Sequence, residues 1–310
     1  MTLFALIAAL ALEHFYPLDP RGELHRGFAR YSAFLESHLN AGQRLHGLLA
    51  WALAVLPIAA FAGVGYLWLQ HLSVLAAWAW NTVFLYLCLG FERCARELSS
   101  MGRALKERDL VHARELLGAT WAGGEVAELQ APEVTRLAIE QTFLCAHRQL
   151  FGVVAWFLVL SPLGPVGAVL YRSSFWLAAL WADLDPQSHG DFGRFAGEAF
   201  AKLDWIPARL TAVSFAIVGD FEDALFCWRA QAASWSDKLQ GIILSSGAGA
   251  LGVKLGDPIH QAGGLVARPE LGLGDEPDVG YLQSAMGLIW RTVVLWLAVL
   301  ALLTLASWAG

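Results

Sequence analysis

The segment LDWIPARLTA, residues 203–212, places Asp204, Pro207 and Arg209 within six positions of an otherwise apolar stretch. An acid that caps a helix, a proline in its first turn and a guanidinium just inside it would gather free backbone N–H groups beside a positive charge. That combination holds a phosphate or another anion. Asp204 is expected to accept the N–H of Ile206, with Pro207 in the first turn, where its missing N–H costs nothing. The helix so opened, WIPARLTAVSFAIVG, should end at Gly219, a residue suited to the position after a helix. It is too short to cross a bilayer. Arg209 then either binds an anion, pairs with Asp204 one turn back, or extends to the lipid headgroups.

A second stretch, GAGALGVKLGDP at 247–258, sets Gly247, Gly249, Gly252 and Gly256 around Lys254. It lacks the GxxxxGK[ST] spacing of a Walker loop. Small residues at such spacing mean either close helix packing or a glycine turn whose N–H groups and lysine meet a phosphate. Both readings stay open. Cys88, Cys94, Cys145 and Cys227 form no CxxC pair, and the histidines form no HExxH, so no protein-held metal is expected. The cysteines read as reduced packing residues.

These residues sit in a chain of 310 residues that is 57% hydrophobic and 15% charged, with 14 tryptophans. Soluble domains carry about 25% charged residues, and the shortfall here is concentrated in particular windows, as in membrane spans. The net charge of −6 excludes a phosphate-tracking nucleic-acid surface, which needs a basic excess.

The spacing predicts an all-α integral membrane protein, one embedded domain over 1–310. It combines transmembrane helices with re-entrant or interfacial helices and a cytoplasmic helical region. Residues 1–12 lack a basic leader, which argues against a cleaved signal; whether 1–16 span is left open. Residues 48–91 form a transmembrane hairpin, with Pro57 tolerated if a neighbouring helix satisfies the carbonyl it frees. Arg21, Arg26, Arg30 and Arg44 precede this hairpin and Arg93, Arg96 and Arg103 follow it. Positive flanks belong in the cytoplasm, so the tip faces outward. Residues 92–148 form the cytoplasmic helical region, either a solvated linker or a docking site for a protein partner, with a new helix starting at Pro132. The SPLGP run at 161–165 should break any helix. Residues 150–182 are therefore expected to turn back as a re-entrant hairpin, returning Asp183, Asp185, Asp191 and Arg194 to the cytoplasmic side. Residues 203–258 form the polar, glycine-rich region, and residues 289–309 supply a last span. Together these place a multi-pass protein in a bacterial inner membrane, lipid around it and its polar loops mostly cytoplasmic.

Taken in order, DFG at 191–193, LDWIPARLTA at 203–212, GAGALGVKLGDP at 247–258 and RPELG at 268–272 resemble the carboxy-terminal marks of the CobD/CbiB family. RDLVHAR at 108–114, LLG at 116–118 and AIEQ at 138–141 are similar to weaker upstream marks. The family acts late in cobamide (vitamin B12) assembly. Its members join adenosylcobyric acid to an aminopropanol phosphate through an amide bond, using ATP and Mg²⁺. The resemblance implies that Glu140, Asp204, Arg209, Lys254 and Asp257 bind substrate phosphate, with a corrinoid precursor or phosphorylated amine as ligand. No catalytic residue is assigned.

The chain also departs from that pattern. Ala119, Thr120 and Trp121 stand where the family has Arg-Asp-Thr. LCAHRQLFG at 144–152 replaces an Asn and Asp-Gly region, and SSFWLAALW after Arg172 replaces an Asn-Thr-Leu-Asp-Ser run. The opening MTLFALIAALALEHFYPL is similar to the related AmpE family of membrane modulators linked to β-lactamase induction. The resemblance therefore leaves two roles, a cobamide-assembling enzyme that uses ATP and Mg²⁺ if the family reaction is retained, and a non-catalytic AmpE-like modulator.

Overall fold

Along the helix at residues 44–72, most large apolar side chains point outward and small ones point inward, the reverse of a soluble helix. In α3 (Arg44–Leu72) the buried residues are Gly47, Ala50, Ala54, Val55, Ala59, Ala62, Gly63 and Tyr66. Leu49, Leu53, Leu56, Phe61, Val64 and Trp68 on the same helix are exposed. Hydrocarbon solvates large apolar groups as well as a protein core does, so helices there associate through small residues that let backbones approach. A Cβ on Gly47 would stand 2.2 Å from the Phe192 carbonyl oxygen.

The computed structural model describes residues 2–19, 22–120, 125–182, 184, 189–261 and 264–309; Trp121, Asp183 and Asp185 lie outside them. Among the described residues, four stretches are long and apolar enough to cross a membrane: Arg44–Leu72, Val74–Lys106, Ala131–Val159 and Val279–Ala306. The protein is an all-α multi-pass membrane protein. The chain forms two compact units, residues 1–90 with 148–207 and residues 91–147 with 208–310.

The first unit contains α1 (Thr2–Phe15), α2 (Glu23–Leu39), α3, α4 (Val74–Cys88), α8 (Gly152–Val159), α9 (Val166–Ala182) and the start of α10 (Arg194–Val218). Helix α3 packs on α2, α4 and α9, α1 packs on α4, and α8 packs on α9. Phe28, Leu35, Ala50, Ala54, Leu177, Trp181 and Phe192 form its core. Only Ser73 separates α3 from α4, so the expected hairpin is tight. Pro57 lies inside α3, and the carbonyl it frees, that of Leu53, accepts the Tyr31 hydroxyl of α2 at 3.0 Å. The neighbouring helix does satisfy it.

Three boundaries differ from the sequence reading. The SPLGP run is a 3₁₀ turn, Ser161–Leu163, closed by Gly164 at φ 70°, so α8 and α9 are separate helices packed on each other. Their first arm does not begin at 150, however: Ala131–Val159 is one continuous helical stretch of 29 residues, with a π turn at His147–Phe151. Second, α10 does not open at Asp204. It runs for 25 residues from Arg194 to Val218 with Pro207 inside it, so Asp204 caps nothing and Arg209 lies mid-helix. The reason is tertiary. Pro207 leaves the Leu203 carbonyl without its helical donor, and the indole N–H of Trp156 in α8 donates to that oxygen at 2.9 Å. The helix need not stop. Third, the last helix, α13 (Val279–Ala309), starts ten residues before the expected span at 289.

The second unit holds α5 (Phe91–Lys106), α6 (Leu110–Thr120), α7 (Ala131–Ala146), the end of α10, α11 (Phe221–Gln231), α12 (Lys238–Leu251) and α13. Helix α7 packs on α5, α6, α12 and α13. It begins with a capping box between Gln130 and Glu133 and a proline in the first turn, as expected at Pro132. A disulfide joins Cys94 of α5 to Cys145 of α7. The two were expected to be reduced, but helix packing puts side chains 51 positions apart beside each other, which no local pattern marks. Cys88 and Cys227 are free and buried. Between α12 and α13 the described residues include four short strands, β1 (Leu255–Gly256), β2 (Ile259–Gln261), β3 (Gly264–Val266) and β4 (Glu270–Leu271). They pair antiparallel as β1–β4 and β2–β3.

Candidate functional site

Helix α7 carries Glu133, Arg136 and Glu140, all buried, spaced three and four residues apart and therefore on one face. Burying such groups unpaired would cost several kcal/mol each, and the glycine-rich segment after α12 supplies their partners. Glu133 accepts the backbone N–H of His260 at 2.8 Å and bonds its ring Nδ1 at 2.9 Å. Arg136 donates to the Gly256 carbonyl at 3.3 Å, reaches Asp257 at 3.2 Å and Glu276 at 2.8 Å. Glu140 accepts the Gly256 N–H at 2.8 Å and a charge-assisted bond from Arg268. The Arg268 guanidinium lies over the Trp235 ring, 4.9 Å from its centroid.

The segment can press this close because of its glycines. A Cβ at Gly256, whose φ is 73°, would stand 2.0 Å from the Pro269 carbonyl oxygen. Gly252 ends α12 in the left-handed conformation. Gly247 and Gly249 belong to α12 itself, where added Cβ atoms would meet the Phe143 ring at 2.8 Å and the Asp223 carbonyl at 2.4 Å. Of the two readings of this stretch, close packing accounts for Gly247 and Gly249, and turn geometry for Gly252 and Gly256.

The five sequence candidates are thereby sorted. Glu140, with its side chain 3% exposed, is enclosed and fully engaged, so it braces the segment. Lys254 and Asp257 stand at its exposed rim, with side chains 38% and 43% exposed. Lys254 reaches Glu270 at 3.4 Å, while Asp257 sits in the left-handed region at φ 66°. Arg209 belongs to this unit and is partly buried on α10. Asp204 belongs to the first unit, where it is 4% exposed and accepts the Tyr171 hydroxyl at 2.7 Å.

Among the described residues no group of three His, Cys, Asp or Glu side chains is placed to hold a metal ion. The rim carboxylates face Arg136 and Lys254 instead. The rim thus sets the Lys254–Glu270 pair beside the Asp257–Arg136 pair.

The residues missed in the sequence are the partners, Glu133, Arg136, Arg268 and Tyr171. A signal existed for the first two: EVTRLAIE carries charges at positions one helical face apart within an apolar run.

The match to known proteins extends over the whole of this framework. A sequence model of the family described as CobD/Cbib protein matches residues 6–289. Cobalamin biosynthesis protein CobD of Stutzerimonas stutzeri is 36% identical over 309 residues, covering 97% of each chain. The protein of that name from Chromobacterium violaceum is 34% identical over 252 residues, 81% of this chain and 73% of its own. Cobalamin biosynthesis protein CbiB of Salmonella arizonae is 24% identical over 96% of both. No solved structure matches the chain. Since the match runs through both units, from α1 to the middle of α13, the chain belongs to the CobD/CbiB family.

Proposed function

We propose that this protein acts in late cobamide assembly, attaching an aminopropanol phosphate to adenosylcobyric acid. The observation that carries this reading is the end-to-end likeness to a cobalamin biosynthesis protein CobD, with 97% of each chain covered. The reaction removes water between a carboxylate and an amine, and ATP with Mg²⁺ would supply its driving force. The chain's own part is to bind and orient. Lys254, held by the braced glycine segment, offers its ammonium to the phosphate of the amine substrate, and Asp257 beside it is available to the amine. Arg209, in the same unit as Lys254 and Asp257, is proposed to serve the same substrate. No residue is assigned to the metal, because the described carboxylates do not converge on one point.

The proposed setting is a bacterial inner membrane, with the Ser73 tip of the α3–α4 hairpin outside and the arginines that flank the hairpin in the cytoplasm.

The test is corrinoid-auxotrophy complementation. The gene should restore growth to a strain lacking its CobD or CbiB protein, and Lys254→Ala and Arg209→Ala should each reduce it while the protein still accumulates in membranes. Failure of the wild-type gene to complement, with a change in β-lactamase inducibility, would move the chain to the modulator role.

A further inference from the structure

Within the first unit, Arg172 of α9 is 2% exposed. Its Nη2 donates to Gln149 Oε1 at a long 3.3 Å. Among the described residues, nothing accepts a hydrogen bond from its Nε or from Nη1. The guanidinium is held in place by rings, with the Trp176 centroid at 5.1 Å and the Phe175 centroid at 5.9 Å. Backbone closes one edge: a Cβ on Gly90 would stand 2.2 Å from Gln149 Oε1 and 3.0 Å from Arg172 Nη2. Helix α9 packs on α4, and two more buried polar atoms on this pair of helices, Ser174 Oγ and Asn81 Oδ1, also lack a hydrogen-bond partner. The buried Glu13 and the Cys88 thiol lie close enough to act on the arginine's charge.

A buried guanidinium with unused donors is expensive, and native interiors leave few such groups unsatisfied. Its planar fork is shaped for the oxygens of a carboxylate or phosphate. Glu13 can offset the charge from a distance but makes no bond to Nε or Nη1.

We propose that Arg172 is an oxyanion-binding residue of the first unit, taking the phosphate group of a small phosphate ester on its free Nε and Nη1 donors. The two stacked rings fix the fork in the bound orientation, so little ordering remains to be done when the anion arrives. This assignment stands on the geometry of the first unit and is independent of the cobamide reading.

The probe is inorganic phosphate added to the purified full-length protein in nanodiscs, compared with acetate and chloride at equal ionic strength. Phosphate should raise the wild-type thermal midpoint by about 5 °C at saturation, with acetate giving a smaller shift and chloride none. Made in a Lys254→Ala, Arg209→Ala background, which removes the other proposed phosphate contacts, Arg172→Met should abolish the phosphate shift. An undiminished shift in that variant would overturn the proposal, as would a wild-type protein indifferent to phosphate. A shift larger with acetate than with phosphate would overturn the assignment to phosphate. Should Arg172→Met not fold, Arg172→Lys keeps the charge without the fork. It should bind phosphate about tenfold more weakly, and an unchanged affinity would overturn the proposal.

Discussion

The indole N–H of Trp156 donates to the main-chain carbonyl of Leu203 at 2.9 Å, and that carbonyl lies four residues before Pro207. In an unbroken helix the amide at 207 would occupy it. Tyr31 does the same for Leu53, four residues before Pro57, at 3.0 Å. Two helices thus run through prolines because an aromatic side chain on a neighbouring helix replaces the lost donor.

Removing either donor leaves a carbonyl unsatisfied. Trp156→Phe and Tyr31→Phe should each cost about 1–3 kcal/mol. In a Pro57→Ala background, where residue 57 regains its N–H, Tyr31→Phe should cost less. Denaturant unfolding of the four proteins of that cycle reads the coupling, and strict additivity would refute the proposed role.

The Glu140–Arg268 pair spans 128 positions of sequence and braces the glycine segment. Glu140→Leu leaves Arg268 and the Gly256 N–H without their acceptor and should destabilise by about 3–5 kcal/mol. The double variant Glu140→Leu with Arg268→Met should be more stable than Glu140→Leu alone. The check is the same unfolding measurement.

Gly252 and Gly256 separate backbone freedom from close approach. Both have positive φ, but nothing lies within 4 Å of a Cβ at Gly252, whereas one at Gly256 would stand 2.0 Å from the Pro269 oxygen. Gly252→Ala should cost about 1–2 kcal/mol. Gly256→Ala should cost clearly more, because the strand pairing of β1 with β4 must also shift. Comparing the two midpoints decides this, and equal midpoints would remove the contact argument.

The cysteines should divide by chemistry. Burial pushes the Cys227 thiol up to about 11, so little thiolate exists at pH 8. Its alkylation should be slow there and rise about tenfold per pH unit toward that value. Cys94 and Cys145 should take up label only after reduction. Peptide mass spectrometry of alkylated protein, with and without reductant, reads both; rapid labelling of Cys94 in unreduced protein would contradict the pairing.

Much of the candidate site could be named from the sequence, but its arrangement could not. Lys254 was marked by the glycines around it, and Asp257 and Glu140 by their family-like runs. That Glu140 is a brace rather than an open ligand depends on Arg268, which only folding brings near. Asp204 looked like a cap because acid, aromatic and proline in that order are a local helix-start signal. The signal lost to one tertiary hydrogen bond.

By itself, the sequence determined the membrane habit and the helical class. Transfer of a side chain from water to hydrocarbon, and the need to satisfy backbone groups there, depend on residues close together in the chain. The stretch Ala131–Val159, read as the end of a cytoplasmic region and the start of a re-entrant hairpin, was not legible as one helix. Tertiary structure decided where α10 begins, which charges are spent on bracing, which cysteines pair and which donors of Arg172 stay free. Each of those rests on partners distant in sequence, and a side chain's chemistry changes with what it is packed against.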